Sequence, residues 1–175
     1  GEEAARFGVA EEACHGPASR HIAWAAQPAM ARPTIENGGL VVRTRSLAAP
    51  QMVELCAPCH SRRSEIADYG HAEKSLLDSF VPSLLTEGLY YADGQIQDEV
   101  FDYASFVQSK MYRNGVKCSD CHDVHSLKRH SETNDLCTRC HRAEVYDSST
   151  HHFHKKEVDG KPSDGARCIS CHMPQ

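Results

Sequence analysis

One five-residue pattern, Cys-x-x-Cys-His, occurs four times in this chain of 175 residues and takes up eight of its nine cysteines. The copies are Cys56-Ala57-Pro58-Cys59-His60, Cys118-Ser119-Asp120-Cys121-His122, Cys137-Thr138-Arg139-Cys140-His141 and Cys168-Ile169-Ser170-Cys171-His172. Twelve histidines accompany them. Such enrichment in thiol and imidazole points to metal, heme or disulfide chemistry. With 40% hydrophobic residues, 7% aromatic residues and a single tryptophan, the chain is poorly supplied for a core of its size. A body other than side chains is therefore expected to fill part of the interior.

Cys-x-x-Cys-His is the attachment sequence for c-type heme. The two thiols form thioethers to the porphyrin vinyl groups, and the adjacent histidine supplies a proximal imidazole to the iron. The spacing matters because a short turn must span the heme edge and still aim the ring at the metal. Three other chemistries compete. Cys118-x-x-Cys121 and Cys137-x-x-Cys140 are separated by a zinc-ribbon interval, but zinc does not require a histidine after every pair. With twelve histidines in the chain, four chance matches have odds on the order of 1 in 10^5. A thioredoxin-like dithiol needs one pair beside a βαβ unit. A disulfide scaffold leaves the histidines unexplained.

Glu11-Glu12-Ala13-Cys14-His15 reads as a fifth motif lacking its first cysteine. It either holds a heme through one thioether, with His15 as proximal ligand, or is a free thiol beside a surface histidine. The proximal set is then His60, His122, His141 and His172, with His15 as the fifth. Seven histidines remain: His21, His71, His125, His130, His151, His152 and His154. Supply exceeds demand, so bis-histidine ligation at low potential is expected. His125, three residues after His122, is too close to pass around the same ring and is expected to reach a neighbouring iron; the same holds for His21 after His15. His71 is a good isolated candidate. The run His151-His152-Phe153-His154 is expected to supply one or two ligands, with His152 and His154 pointing the same way if the segment is extended. His130 is the one most readily left in solvent. Met111, on a helical stripe, is expected to pack in the core rather than ligate.

Regular structure should be sparse. Ile35–Val42 reads as a hairpin around Asn37-Gly38, and Leu89–Ile96 as another around Asp93-Gly94. The best helix runs from Asp98 to Asn114, with Val100, Ala104, Val107 and Met111 on one face and Gly115 ending it. Shorter helices are expected over Lys74–Phe80, Pro50–Arg63 and Asp135–Glu144, and Lys156–Ala166 reads as a surface loop. No linker separates two domains, so residues 1–175 are read as a single multiheme domain.

The chain resembles bacterial multiheme cytochromes c with doubled Cys-x-x-Cys-His segments. The resemblance rests on Ala13–His21, Cys56–Arg63, Tyr91–Ile96, Gly115–His125, His151–His154 and Cys168–Pro174, which cover most of the chain in the same order. Glu11 departs from it, because the first site of the family has both cysteines. The fold class expected is a multiheme cytochrome: mostly irregular, with short α-helices and one or two small β-hairpins around a heme-organised core. The resemblance implies an exported electron carrier, periplasmic or extracellular, holding heme c at four sites and at a fifth through Cys14. The chain resembles an interior segment of a longer member, so some iron ligands are expected from outside it. Redox proteins are the expected partners, docking through a basic patch against an acidic chain of net charge -5. A minority expectation is self-assembly into a filament or oligomer by exchange of ligands. The rival activity is a multiheme reductase of small nitrogen compounds, which needs one open iron position; no Cys-x-x-Cys-Lys motif is present. No basic patch suggests nucleic acid, no apolar run suggests a transmembrane helix, and no signal peptide is visible at the charged start, Gly1–Arg6.

Overall fold

The computed structural model describes residues 11–69 and 75–173. His71 lies outside these, as do Gly70 and Lys74. Backbone packing divides the chain into two compact units, residues 1–118 and 119–175. Among the described residues no helix is long and apolar enough to cross a membrane.

The first unit is built on one helix of three turns. Helices α1 (Glu11–His15) and α2 (Ser19–Ala25) precede it, and α3 follows at Ala49–His60. Pro50 suits the first turn of α3, where a missing N–H costs nothing, and the side-chain oxygen of Gln51 accepts the Ala48 N–H at 3.0 Å. The expected helix over Pro50–Arg63 is thus present, but it stops at His60. Its apolar residues serve two small clusters. Met52 and Leu55 pack with Val42 and Leu47, joined by Cys14 and Cys56. Ala57 packs with Leu76 and Phe80, joined by Tyr69 and Tyr103. Strands β1 (Arg63–Glu65) and β2 (Phe80–Pro82) then pair antiparallel, with Ser64 opposite Val81.

Several elements differ from expectation, some through nonlocal contacts and some through local caps. Asn37 and Gly38 do adopt left-handed backbone, with φ of 52° and 61°, as a hairpin turn would need. The flanks are not strands, however; Glu36–Gly39 forms two tight turns joined at a left-handed kink. The backbone of Val42 pairs with His15 instead, its N–H donating to the His15 carbonyl at 3.1 Å. Around Asp93-Gly94 a tight turn forms, with Tyr91 N–H on the Gln95 carbonyl at 2.9 Å and one bridge between Tyr90 and Ile96. The Asp98–Asn114 helix is broken into α4 (Asp102–Gln108) and α5 (Lys110–Arg113). Ser109 is extended, and its hydroxyl caps α5 by accepting the Tyr112 N–H at 3.1 Å. Residues before Asp102 are committed elsewhere: Val100 is buried and its carbonyl accepts the Arg62 N–H, while Asp98 pairs with Arg62 at 2.9 Å. Met111 is exposed, not core. Gly115 does end α5, donating to the Tyr112 carbonyl at 3.0 Å. The Lys74–Phe80 segment is no α-helix over its described part: Leu76–Asp78 is a 3₁₀ turn started by Ser75, and Phe80 is drawn into β2.

Helix α6 covers Cys118–Cys121. In the second unit β3 (His122–Asp123) pairs with β4 (Lys128–Arg129). Three short helices follow, α7 (Asp135–Thr138), α8 (Ala143–Tyr146) and α9 (Ser149–His152). The helix expected over Asp135–Glu144 is therefore interrupted between Thr138 and Ala143. Lys156–Ala166 is largely exposed, as a surface loop should be, but carries a two-residue ladder of β5 (Glu157–Val158) with β6 (Lys161–Pro162) and a 3₁₀ turn at Asp164–Ala166. Helix α10 (Cys168–His172) closes the described chain. Among the described residues three short antiparallel ladders form, at positions other than the two hairpins expected from the sequence.

Candidate functional site

Each Cys-x-x-Cys-His motif sits on a helical turn. The last turn of α3 carries Cys56, Cys59 and His60, and α10 carries Cys168, Cys171 and His172. Helix α6 carries Cys118 and Cys121, with His122 opening β3. Cys137 lies in α7, and the turn continues because Cys140 and His141 both donate to its carbonyl, at 3.2 and 3.0 Å. Side chains at i, i+3 and i+4 share one helix face, so in α3 and α10 both thiols and the imidazole present to one side. His60, His122, His141 and His172 are exposed, while Cys56, Cys118, Cys137 and Cys168 are half-buried.

The half-buried thiols meet in two groups. In the first unit a hydrogen bond with Cys118, and then burial, push the Cys56 thiol well above its ordinary value. Burial, and then the neighbouring Cys59, push up Cys14. In the second unit burial, followed by Cys168 and Cys121, pushes Cys137 up to about 11. Among the described residues no disulfide joins these cysteines. The raised values hold Cys14, Cys56 and Cys137 as neutral thiols.

Histidine geometry separates the candidates. Nδ1 of His15 lies 3.1 Å from the Val42 carbonyl, and Nδ1 of His21 lies 2.9 Å from the Gly38 carbonyl. Both carbonyls fix the proton on Nδ1 and leave Nε2 with its lone pair, the tautomer of an Nε2 metal ligand. The second contact depends on Gly39, where a Cβ would stand 3.0 Å from the backbone of Arg20 and His21. Helix α1 places Glu11, Cys14 and His15 at the spacing of the complete motifs. His125 is exposed in the loop between β3 and β4. There Asp123 accepts from the Ser126 hydroxyl and the His125 N–H, which hold its carboxyl below the ordinary range. His130 is exposed and donates through Nε2 to the Ser119 carbonyl at 3.0 Å. His60 Nδ1 stands 3.6 Å from the exposed carboxylate of Asp102.

His151 and His152 are helical, not extended, and Phe153 turns the chain with φ of 59°. That left-handed turn still brings the rings of His152 and His154 side by side, 6.5 Å apart. Nδ1 of His152 accepts the His154 N–H at 3.2 Å, which places the ring proton on Nε2; that atom is buried without a partner. Among the described residues no three His, Cys, Asp or Glu side chains are grouped as a metal ion would require.

A residue with no motif of its own organises the second unit. Asn134 precedes α7, and its Nδ2 donates to Asp147 Oδ1 and to the Ala166 carbonyl, both at 2.8 Å. Its Oδ1 accepts the Cys168 N–H at 3.0 Å. One side chain thus ties the helix of Cys137 to the first cysteine of the last motif. Burial opposes ionisation of Asp147, but hydrogen bonds from Lys156 and Asn134 outweigh it and hold the carboxyl below its usual value. With a folded value below the unfolded one, this contribution is present above the ordinary carboxylate range and is lost as pH falls through the lowered value. Asn134→Ala is expected to cost about 2–3 kcal/mol above roughly pH 5, and less in acid, by urea denaturation at both pH values. An equal loss at both would show that Asp147 is not part of the tie.

The second unit is a poor core by any apolar measure: among its described residues only Ala166 is buried. Its residues fit a large apolar body held by thioethers, since the polypeptide supplies donors and turns but little interior of its own. No protein-family model matches the chain, and no curated protein sequence or solved structure does either.

Proposed function

We propose that this chain is an electron carrier that binds four c-type hemes, with a fifth at Cys14. Four Cys-x-x-Cys-His motifs carry this reading: two lie wholly on helical turns, in α3 and α10, and the other two begin on α6 and α7. Cys56 and Cys59, Cys118 and Cys121, Cys137 and Cys140, and Cys168 and Cys171 would hold the porphyrins. His60, His122, His141 and His172 would be the proximal ligands, and the distal ones would be drawn from among the remaining histidines, His152 excepted because its Nδ1 accepts the His154 N–H. When bound, heme iron cycles between ferric and ferrous by one electron. The chain's part is to set distance, ligand type and exposure, and so potential. His15 fits the fifth site because its Nδ1 is engaged by Val42 and its Nε2 is not. Thioether attachment of this kind takes place outside the cytoplasm, so the protein would be exported, and a partner would dock on it through a basic face.

Intact mass under denaturing conditions tests this. The expected result is added mass of at least four hemes that survives acidified organic solvent, with Cys14→Ser lighter by one heme. A polypeptide of unmodified mass, or one that sheds all pigment into the solvent, would overturn the proposal. Equal heme counts in wild type and Cys14→Ser would remove the fifth site alone.

A further inference from the structure

We infer that His151 is the sixth ligand of the iron gripped at Cys168, Cys171 and His172, lying opposite His172. This rests on the heme reading above and deepens it. The rings of His151 and His172 are parallel to within 7°, with centres 6.1 Å apart. Two imidazoles bonded to opposite sides of one metal at about 2.0 Å each have ring centres about 6 Å apart.

The surroundings hold His151 in that place. Tyr146 meets its ring edge-on at 5.5 Å and 87°, and meets His141 in the same manner at 5.7 Å and 81°. His151 N–H donates to the Ser148 carbonyl at 2.9 Å, and the Ser148 hydroxyl donates back to Val145 at 2.8 Å. Helix α9 packs against the Asp164–Ala166 turn, which leads directly into Cys168. Tyr146 is therefore a positioning residue, acting on the iron site through His151.

The neighbouring histidines fit less well. Coordination through Nε2 needs a lone pair there, and the Nδ1 bond of His152 puts a proton on that atom instead. The ring of His154 lies beside that of His152 and on Gly165, away from His172 in the contacts it makes. His151 is exposed and, among the described residues, no hydrogen bond engages its ring nitrogens. Composition could not single it out of the run His151-His152-Phe153-His154.

The test uses the full heme-loaded chain, with electron paramagnetic resonance of the oxidised protein and denatured mass measured on each sample. His151→Ala is expected to keep the wild-type heme count and to convert one heme from low-spin to high-spin. Added imidazole should restore the low-spin signal, and His152→Ala should leave the spectrum unchanged. His151→Ala with a full heme count and no high-spin signal would overturn the inference while leaving the heme reading intact. A high-spin heme in His152→Ala and not in His151→Ala would overturn it in favour of the neighbour. If His151→Ala yields no stable protein, His151→Met decides. A new methionine-to-iron near-infrared band with one heme at higher potential supports the inference, and absence of both overturns it. Unmodified mass in the wild type would end the heme reading and the inference together.

Discussion

With Cys137, Cys140, Cys168 and Cys171 all replaced by serine, residues 119–173 are expected to lose nearly all amide-exchange protection, while the α3 segment Ala49–His60 keeps its own. The reason is the distribution of apolar burial. A fully buried leucine or valine contributes about 1.5–3 kcal/mol, and the second unit buries only Ala166 among its described residues. Its helices have four or five residues, far below the roughly 12–15 at which an isolated helix becomes even marginal. Its β-ladders are two residues long. Hydrogen bonds such as those of Asn134 choose a geometry, but each contributes only about 1 kcal/mol net. On the proposed reading porphyrins supply the missing apolar body, and the serine variant removes their attachment at these two motifs. The first unit differs, since Val42, Leu76 and Val100 are fully buried there. Hydrogen exchange followed by peptide mass analysis separates the two. Continued protection of 135–172 in the variant would mean that the polypeptide alone holds this unit, and that the porphyrin is not its organiser.

Leu76→Ala should lower the stability of the first unit by about 2–5 kcal/mol. Leu76 is 1% exposed and packs with Ala57, which is fully buried, and with Phe80. Its N–H donates to Glu54 Oε2 at 3.2 Å, so the backbone is tied to α3 as well. Truncation would open a cavity directly beneath Cys56-Ala57-Pro58-Cys59, and the turn that carries this motif would lose its footing. Leu127→Ala is the matched control, because Leu127 is 73% exposed and surface changes stay within about 0.5 kcal/mol. Urea midpoints by far-ultraviolet circular dichroism measure both. A shift for Leu76→Ala no larger than for Leu127→Ala would contradict the packing of α3 on the Leu76–Asp78 turn.

Chemistry carried by neighbours in the chain was legible before any coordinates. A thiol, a second thiol three residues on and an imidazole next to it need only one turn of backbone, so spacing alone identifies the four motifs and the altered fifth at Cys14. Local backbone preference was legible in the same way: Asn37 and Gly38 are left-handed, Pro50 opens a helix and Gly115 ends one. What those turns then pair with was not. Val42 joins α1 instead of a hairpin partner, and Ser109 divides a helix whose apolar stripe looked continuous. Asn134 and Tyr146 belong to no motif, and their roles come from residues 13–34 positions away or from a ring one helix over. Among His151, His152 and His154 composition offers no ranking. The hydrogen bond on His152 and the parallel ring of His172 supply one. The sequence by itself therefore determined which atoms could grip a porphyrin, because that grip is local. Only the tertiary structure decided which distant side chains stand opposite or behind each grip, because those contacts are set by how the chain returns on itself.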